Sequence, residues 1–169
     1  ALHRELGIPA DYAATFHLDL VAEASPEELR LIASVPHEIR LLAPAADAWA
    51  MMHTAAAAGR ISLLPVSGFR SVSYQAELIR AKLRRGTSIE EILRVNMAPG
   101  FSEHHSGRAL DVTTTGEKPL SERFAATPAF AWLSEHASAF GFSLSYPRGN
   151  PQGIAYEPWH WLWTAPSIP

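Results

Sequence analysis

Ser102-Glu103-His104-His105-Ser106-Gly107-Arg108-Ala109-Leu110-Asp111 sets a histidine and a carboxylate seven positions apart, with a glycine between them. Gly107 permits a tight or left-handed turn. Beyond it, Arg108 to Val112 alternates as a strand does, so small Ala109 and acidic Asp111 share one face. A charged Asp111 on so apolar a strand is costly to bury without a cation or hydrogen-bond donors. His104, just before the turn, can offer a second ligand to the same cation. Near the C-terminal end, Tyr156-Glu157-Pro158-Trp159-His160 offers a third in His160. A His, Asp, His set leaves one coordination position for water, the pattern of a catalytic zinc rather than a closed structural one. Glu157, three residues before His160, is placed to be the general base for that water.

Hydrolysis asks for one more part, a cation for the developing oxyanion. Arg70, in the turn Gly68-Phe69-Arg70, can be aimed into a cleft. Gln75 and Ser102 can hydrogen-bond a substrate, and Tyr156 adjoins the base. The competing reading is a set of packed histidines and a solvated Asp111. His105 rivals His104, but points the other way if the segment is extended, which makes it a residue that backs the ligands or one at the surface. His53 reads as a helix histidine, partly buried or at the surface, and His136 beside Glu135 as solvent-facing.

These residues need elements to hold them. Ala1 to His17 shows no clear period and reads as an extended or irregular arm. Ser25-Pro26-Glu27-Glu28 has the form of a capping box with proline in the first turn, which predicts a helix to about Val35, stopped by Pro36. Pro44 to Ala58 reads as a helix ended by Gly59. Ile61 to Ser67 reads as a strand that Pro65 confines to an edge or bulge. A helix follows over about Val72 to Arg85, with Tyr74, Leu78, Ile79 and Leu83 as its apolar face. Ser88 and Glu91 start a short helix to about Val95, and residues 96 to 101 form a loop leading to the His104 motif. After the Asp111 strand come a helical turn at Ser121 to Ala125 and a helix from Pro128 to about Phe140. A strand follows at Phe142 to Tyr146, then a loop over Pro147 to Gly153. The Trp159, Trp161, Trp163 alternation closes the chain with another strand. The expectation is an α+β fold in a single domain, with a small, mostly antiparallel central sheet flanked by helices. Its arm and first helices would occupy about residues 1–60 and its catalytic core about 61–169.

Composition limits the function classes. The 169 residues, 47% hydrophobic and 18% charged, describe a globular chain with enough length for a proper core. A net charge of -3 gives no electrostatic case for nucleic acid or an anionic membrane surface. The absence of cysteine excludes disulfides, thiolate ligands and a cysteine nucleophile. No apolar run approaches the ~20 residues of a transmembrane segment. No signal peptide opens the chain, although a start at Ala1 is compatible with a removed leader.

The motifs also match a known pattern. Ser67-Gly68-Phe69-Arg70-Ser71 with Gln75, then Ser102-x-His104-x-x-Gly107-x-Ala109-x-Asp111, then Glu157-x-x-His160 occur in order over more than half the chain. This resembles the D-alanyl-D-alanine metallocarboxypeptidases and dipeptidases of vancomycin resistance. That group also contains L,D-carboxypeptidases, phage peptidoglycan endopeptidases and the hedgehog signalling domain. The resemblance implies a hedgehog/D-Ala-D-Ala-peptidase-like fold and one Zn2+ per chain held by His104, Asp111 and His160. It implies Glu157 as base, Arg70 polarising the scissile carbonyl, and Gln75 and Ser102 holding substrate. It further implies action on a peptidoglycan stem peptide or precursor, in the bacterial cell envelope, periplasm or secreted, with a monomer assumed.

The favoured function is release of a terminal D-alanine from stem peptides, with D,D- or L,D-specificity. A phage-type endopeptidase and a D-Ala-D-Ala dipeptidase share the same parts. A zinc-bearing binding module without turnover is the alternative of another class, against which the presence of both Glu157 and Arg70 argues. A non-haem iron oxygenase also uses two histidines and a carboxylate, but needs no paired glutamate.

Overall fold

The computed structural model describes residues 1–165. Its elements in chain order are α1 (Leu2–Glu5), α2 (Tyr12–Thr15), β1 (Leu29–Ala33), β2 (Ile39–Leu42), α3 (Ala43–Ala58), β3 (Leu64–Ser67), α4 (Val72–Arg84), α5 (Ile89–Leu93), β4 (Ala109–Thr113), α6 (Pro128–His136), β5 (Phe142–Leu144) and β6 (His160–Trp163). Short 3-10 turns lie at Pro26–Glu28, Glu103–Ser106, Glu122–Ala126 and Ala137–Phe140. The fold is α+β. Its central four-stranded sheet, ordered β3-β4-β6-β5, is antiparallel throughout, and β1 and β2 form a separate hairpin.

Alternation along β4 and β6 divides their side chains between two faces. Leu110, Val112, Trp161 and Trp163 enter the main core with Ala45, Trp49 and Met52 of α3 and Ile39 and Leu41 of β2. Ala109, Asp111 and His160 are left on the opposite face. The register pairs Asp111 directly with His160, and side chains opposed in this way lie within reach of one another. Pro65 sits where β3 departs from regular register on the sheet edge, where a missing N–H is tolerated.

Two elements differ from the sequence expectation. The capping box at Ser25 and Glu28 is present on both sides, but it starts only the 3-10 turn, and the predicted helix to Val35 is instead strand β1. Pairing with β2 in a hairpin outweighs the local helix signal. The N-terminal arm is not extended: α1 and α2 bring Leu6, Ile8 and Tyr12 into a second cluster with Ala76, Ile79, Ile92, Leu93, Ala98 and Phe101. The buried face of α4 is correspondingly turned toward Gln75 and Ala76, and Tyr74 is exposed.

Two glycines fix how the ligand-bearing turns approach the hairpin. A Cβ at Gly68 would lie 2.4 Å from the Arg40 carbonyl oxygen, so the chain after β3 crosses β2 only without a side chain. Gly107 has φ 68° and packs against Leu29 and Leu42, which ends the Glu103–Ser106 turn in the left-handed region.

Candidate metal centre

The turn at Glu103–Ser106 supplies His104, and the opposed strands β4 and β6 supply Asp111 and His160. All three are buried, and one donor atom from each lies within 4.8 Å of the others. His104 Nδ1 is 2.7 Å from the Gly68 carbonyl oxygen, which can only accept, so Nδ1 carries the proton. The Nε2 lone pair of His104 therefore faces Asp111 Oδ2 at 3.3 Å. On the other flank His160 Nδ1 is 3.0 Å from Asp111 Oδ1, while its Nε2–H donates to Glu103 Oε2 at 2.8 Å. A tetrahedral zinc with bonds of about 2.0–2.1 Å separates its donors by about 3.3 Å. Asp111 presents Oδ2 to His104 at 3.3 Å and Oδ1 to His160 at 3.0 Å, so its carboxylate spans the two rings, each pair close to that spacing though no single oxygen makes both. The opposing lone pairs of His104 and Asp111 call for a cation between them.

Arg70 is held to the same turn through its backbone. Arg70 N–H donates to the His104 carbonyl oxygen at 3.1 Å, and His105 Nδ1–H donates to the Arg70 carbonyl oxygen at 2.6 Å. His105 Nε2 accepts from Gly100 N–H at 3.0 Å. His105 is thus fully buried and ties the Arg70 turn to the loop before His104. The helical turn, rather than an extended segment, lets both neighbouring histidines point inward. Arg70 Nε is buried with no hydrogen-bond partner among the described residues, beside the charges of Asp111 and Glu157.

The electrostatics assign the protons. Burial pulls His104 down to about 4 against the attraction of Asp111, so the ring is neutral near pH 7. Burial also pulls His160 down, but hydrogen bonds to Asp111 and Glu103 outweigh it and hold the ring well above the usual histidine range. Without a metal, His160 is thus an imidazolium between two carboxylates. Burial opposes ionisation of Asp111, and the two imidazoles outweigh it, keeping the group ionised. For Glu157 burial wins: its carboxyl is pushed up to about 7, with His160 pulling the other way. Glu157 lies 3.8 Å from His160 Nδ1, on the side where that ring faces Asp111. Glu103 lies against the opposite nitrogen, which separates the roles open to the two glutamates.

The centre lies in a cleft of about 330 Å³, within the range of small-molecule sites. Gln75, Ser102 and Tyr156 all line it. Gln75 Nε2 donates to the Met97 carbonyl oxygen at 2.7 Å, leaving its buried Oε1 without a partner among the described residues. Tyr156 stacks under the Arg148 guanidinium, 4.2 Å from its ring centroid, at the cleft wall. Tyr146, buried with its ring 4.9 Å from that of His160, also lines the cleft, as does Lys82. Sequence reasoning singled out neither of these, nor Glu103; the strand alternation ending at Tyr146 was the one available signal. His53 is exposed beside Trp49 and His136 is half-buried beside Trp132, and neither lines the cleft.

A family model described as VanY, D-alanyl-D-alanine carboxypeptidase, matches residues 38–166. YodJ of Bacillus subtilis (strain 168), provisionally named a carboxypeptidase, is 34% identical over 122 residues, 69% of this chain and 43% of its own length. The chain spans less than half the length of the curated relatives it matches. The structure of the LdcB LD-carboxypeptidase is 28% identical with a TM-score of 0.73, covering 83% of this chain and 69% of that one. A glutamate-to-alanine variant of a VanB-type D,D-pentapeptidase, VanY, in complex with Zn(II), shares the fold. It is 23% identical with a TM-score of 0.63, covering 88% of each chain.

Proposed function

The chain belongs to the VanY D-alanyl-D-alanine carboxypeptidase family, and from that premise we propose that it is a zinc-dependent carboxypeptidase releasing the terminal D-alanine of peptidoglycan stem peptides. The observation that carries the proposal is the convergence of the His104, Asp111 and His160 donor atoms beside Glu157. In this reading those three hold one zinc per chain, which when bound supplies a Lewis acid that acidifies water and polarises a carbonyl. Glu157 takes the proton of the attacking water and passes it to the leaving amine as the carbon–nitrogen bond breaks. A carboxyl pushed up by burial is basic enough to accept that proton and acidic enough to return it. Arg70, backbone-anchored and with an Nε that has no partner among the described residues, offsets the charge that develops on the carbonyl oxygen.

Gln75 and Ser102 contact the substrate, and Tyr156 shapes the cleft wall. The buried Gln75 Oε1 suits a substrate N–H. The D,D reading is supported by the family match and by a D-alanyl-D-alanine carboxypeptidase relative of Enterococcus faecium. An L,D-specific reading is favoured by the likeness to LdcB. In this reading the activity lies in the cell envelope, in the periplasm or outside the cell. No helix among the described residues is long and apolar enough to cross a membrane.

The deciding experiment is product analysis with zinc-loaded protein on a pentapeptide stem, a tetrapeptide stem and free D-Ala-D-Ala. Release of D-alanine from the pentapeptide supports the D,D reading, and from the tetrapeptide the L,D reading. Hydrolysis of the free dipeptide alone points to a dipeptidase. No hydrolysis of any wall peptide by a zinc-loaded, folded chain overturns the proposal in favour of a binding module.

A further inference from the structure

Glu103 precedes the first histidine ligand, yet its carboxylate reaches across the site to the last one. Glu103 Oε2 accepts from His160 Nε2–H at 2.8 Å and from the Ser145 hydroxyl at 2.6 Å. Ser145 directly follows β5, which pairs with β6, so its hydroxyl is fixed relative to His160 by the sheet. At its other end the Glu103 carbonyl oxygen accepts from the Ser106 hydroxyl at 2.6 Å, within the turn that carries His104. One side chain therefore joins the two ligand-bearing segments.

We propose that Glu103, held by Ser145, is a positioning residue that orients His160 as a metal ligand through its Nδ1. This rests on the metal-hydrolase reading of the same site. An imidazole offers two nitrogens, and the one that binds metal is set by the hydrogen bond made by the other. With Nε2–H committed to a carboxylate, Nδ1 is the nitrogen that faces Asp111 and Glu157. A carboxylate partner at Nε2 also raises the basicity of the ring toward a metal at Nδ1. Glu103 lies against His160 Nε2, the nitrogen opposite the one that Glu157 and Asp111 face, which makes it a poor candidate for the general base.

The test is zinc affinity by chelator competition for the wild type, Glu103→Ala, Glu103→Gln and Ser145→Ala. Nitrogen-15 spectra of the His160 ring tautomer and the melting temperature of each metal-free protein accompany it. Glu103→Ala is expected to lower affinity about 10- to 100-fold and to mix the His160 tautomers. Glu103→Gln, which keeps an acceptor oxygen without the charge, falls between it and the wild type, and Ser145→Ala costs a few-fold. Should Glu103→Ala fail to fold, the glutamine and Ser145 variants decide alone. Unchanged affinity and tautomer in the folded variants, with at most a lower melting temperature, would overturn the inference and leave the function standing. Failure of the wild type to bind zinc would overturn the function itself.

Discussion

The cleft lies between two apolar clusters that hold its walls in different ways. The larger cluster backs the sheet: Leu110, Val112, Trp161 and Trp163 pack on one face while Asp111 and His160 stand on the other. There the spacing of ligands follows backbone register, which cannot shift by one residue without exchanging the faces. The smaller cluster gathers α1, α2, α4 and α5 around Tyr12, Ile79 and Phe101, and bears Gln75 and the Met97 loop. Its wall is set by side-chain packing and by single contacts, such as Ala98 N–H donating to the Tyr12 hydroxyl at 3.3 Å. Metal geometry and substrate fit are therefore separable: the sheet governs one and the helical cluster the other.

The largest effect should come from a residue outside both clusters. Glu157→Gln is expected to lower kcat about 10³-fold with zinc content unchanged, as read by steady-state kinetics and metal analysis. Loss of zinc in that variant would place Glu157 among the ligands. The comparison itself is broken or upheld by matched truncations. Leu110→Ala and Ile79→Ala each remove a fully buried side chain and should each cost about 2–5 kcal/mol in denaturant unfolding. Only Leu110→Ala should also weaken zinc binding, because it loosens the strand beneath Asp111. Equal zinc loss in both variants would mean that the clusters act as one.

Metal uptake should release a proton. Hydrogen bonds to Asp111 and Glu103 hold His160 protonated in the metal-free protein despite its burial, and Nδ1 must lose that proton to bind. Apparent zinc affinity should then fall about tenfold for each pH unit lowered through neutrality. His104, already neutral above about 4, adds nothing until that range. Competition titrations at several pH values, with proton release measured in two buffers, check both sign and slope. The smallest effect is expected from Tyr12→Phe, which removes the hydroxyl bonded to Ala98 N–H and Met97 Sδ. Stability should drop by about 1 kcal/mol, and KM should rise while zinc affinity stays put.

How much of this was legible depends on where each residue gets its constraint. Asp111 was legible because a charge on an apolar strand demands a partner, and Pro65 because proline tolerates only an edge. Helix α3 and the Ser88–Glu91 start carried their own caps and composition. The helix expected after Ser25 was wrong because a capping box fixes one turn only, whereas β1 takes its structure from β2, ten residues on. The packing of the arm is not legible in its own sequence, because Leu6, Ile8 and Tyr12 have no period and are buried against residues of α4, α5 and the loop after it. Glu103 was passed over because its partners, Ser145 and His160, are 42 and 57 positions away. Of the two places open to His105, behind the ligands or at the surface, the 3-10 turn selects the first, because it turns both neighbouring histidines inward as an extended segment would not.

Crystals grown with zinc and measured at its absorption edge test the central claim directly. The account predicts one anomalous peak per chain, about 2.0–2.2 Å from His104 Nε2, an Asp111 carboxylate oxygen and His160 Nδ1. A peak elsewhere, or coordination of His160 through Nε2 with Glu103 displaced, would contradict it.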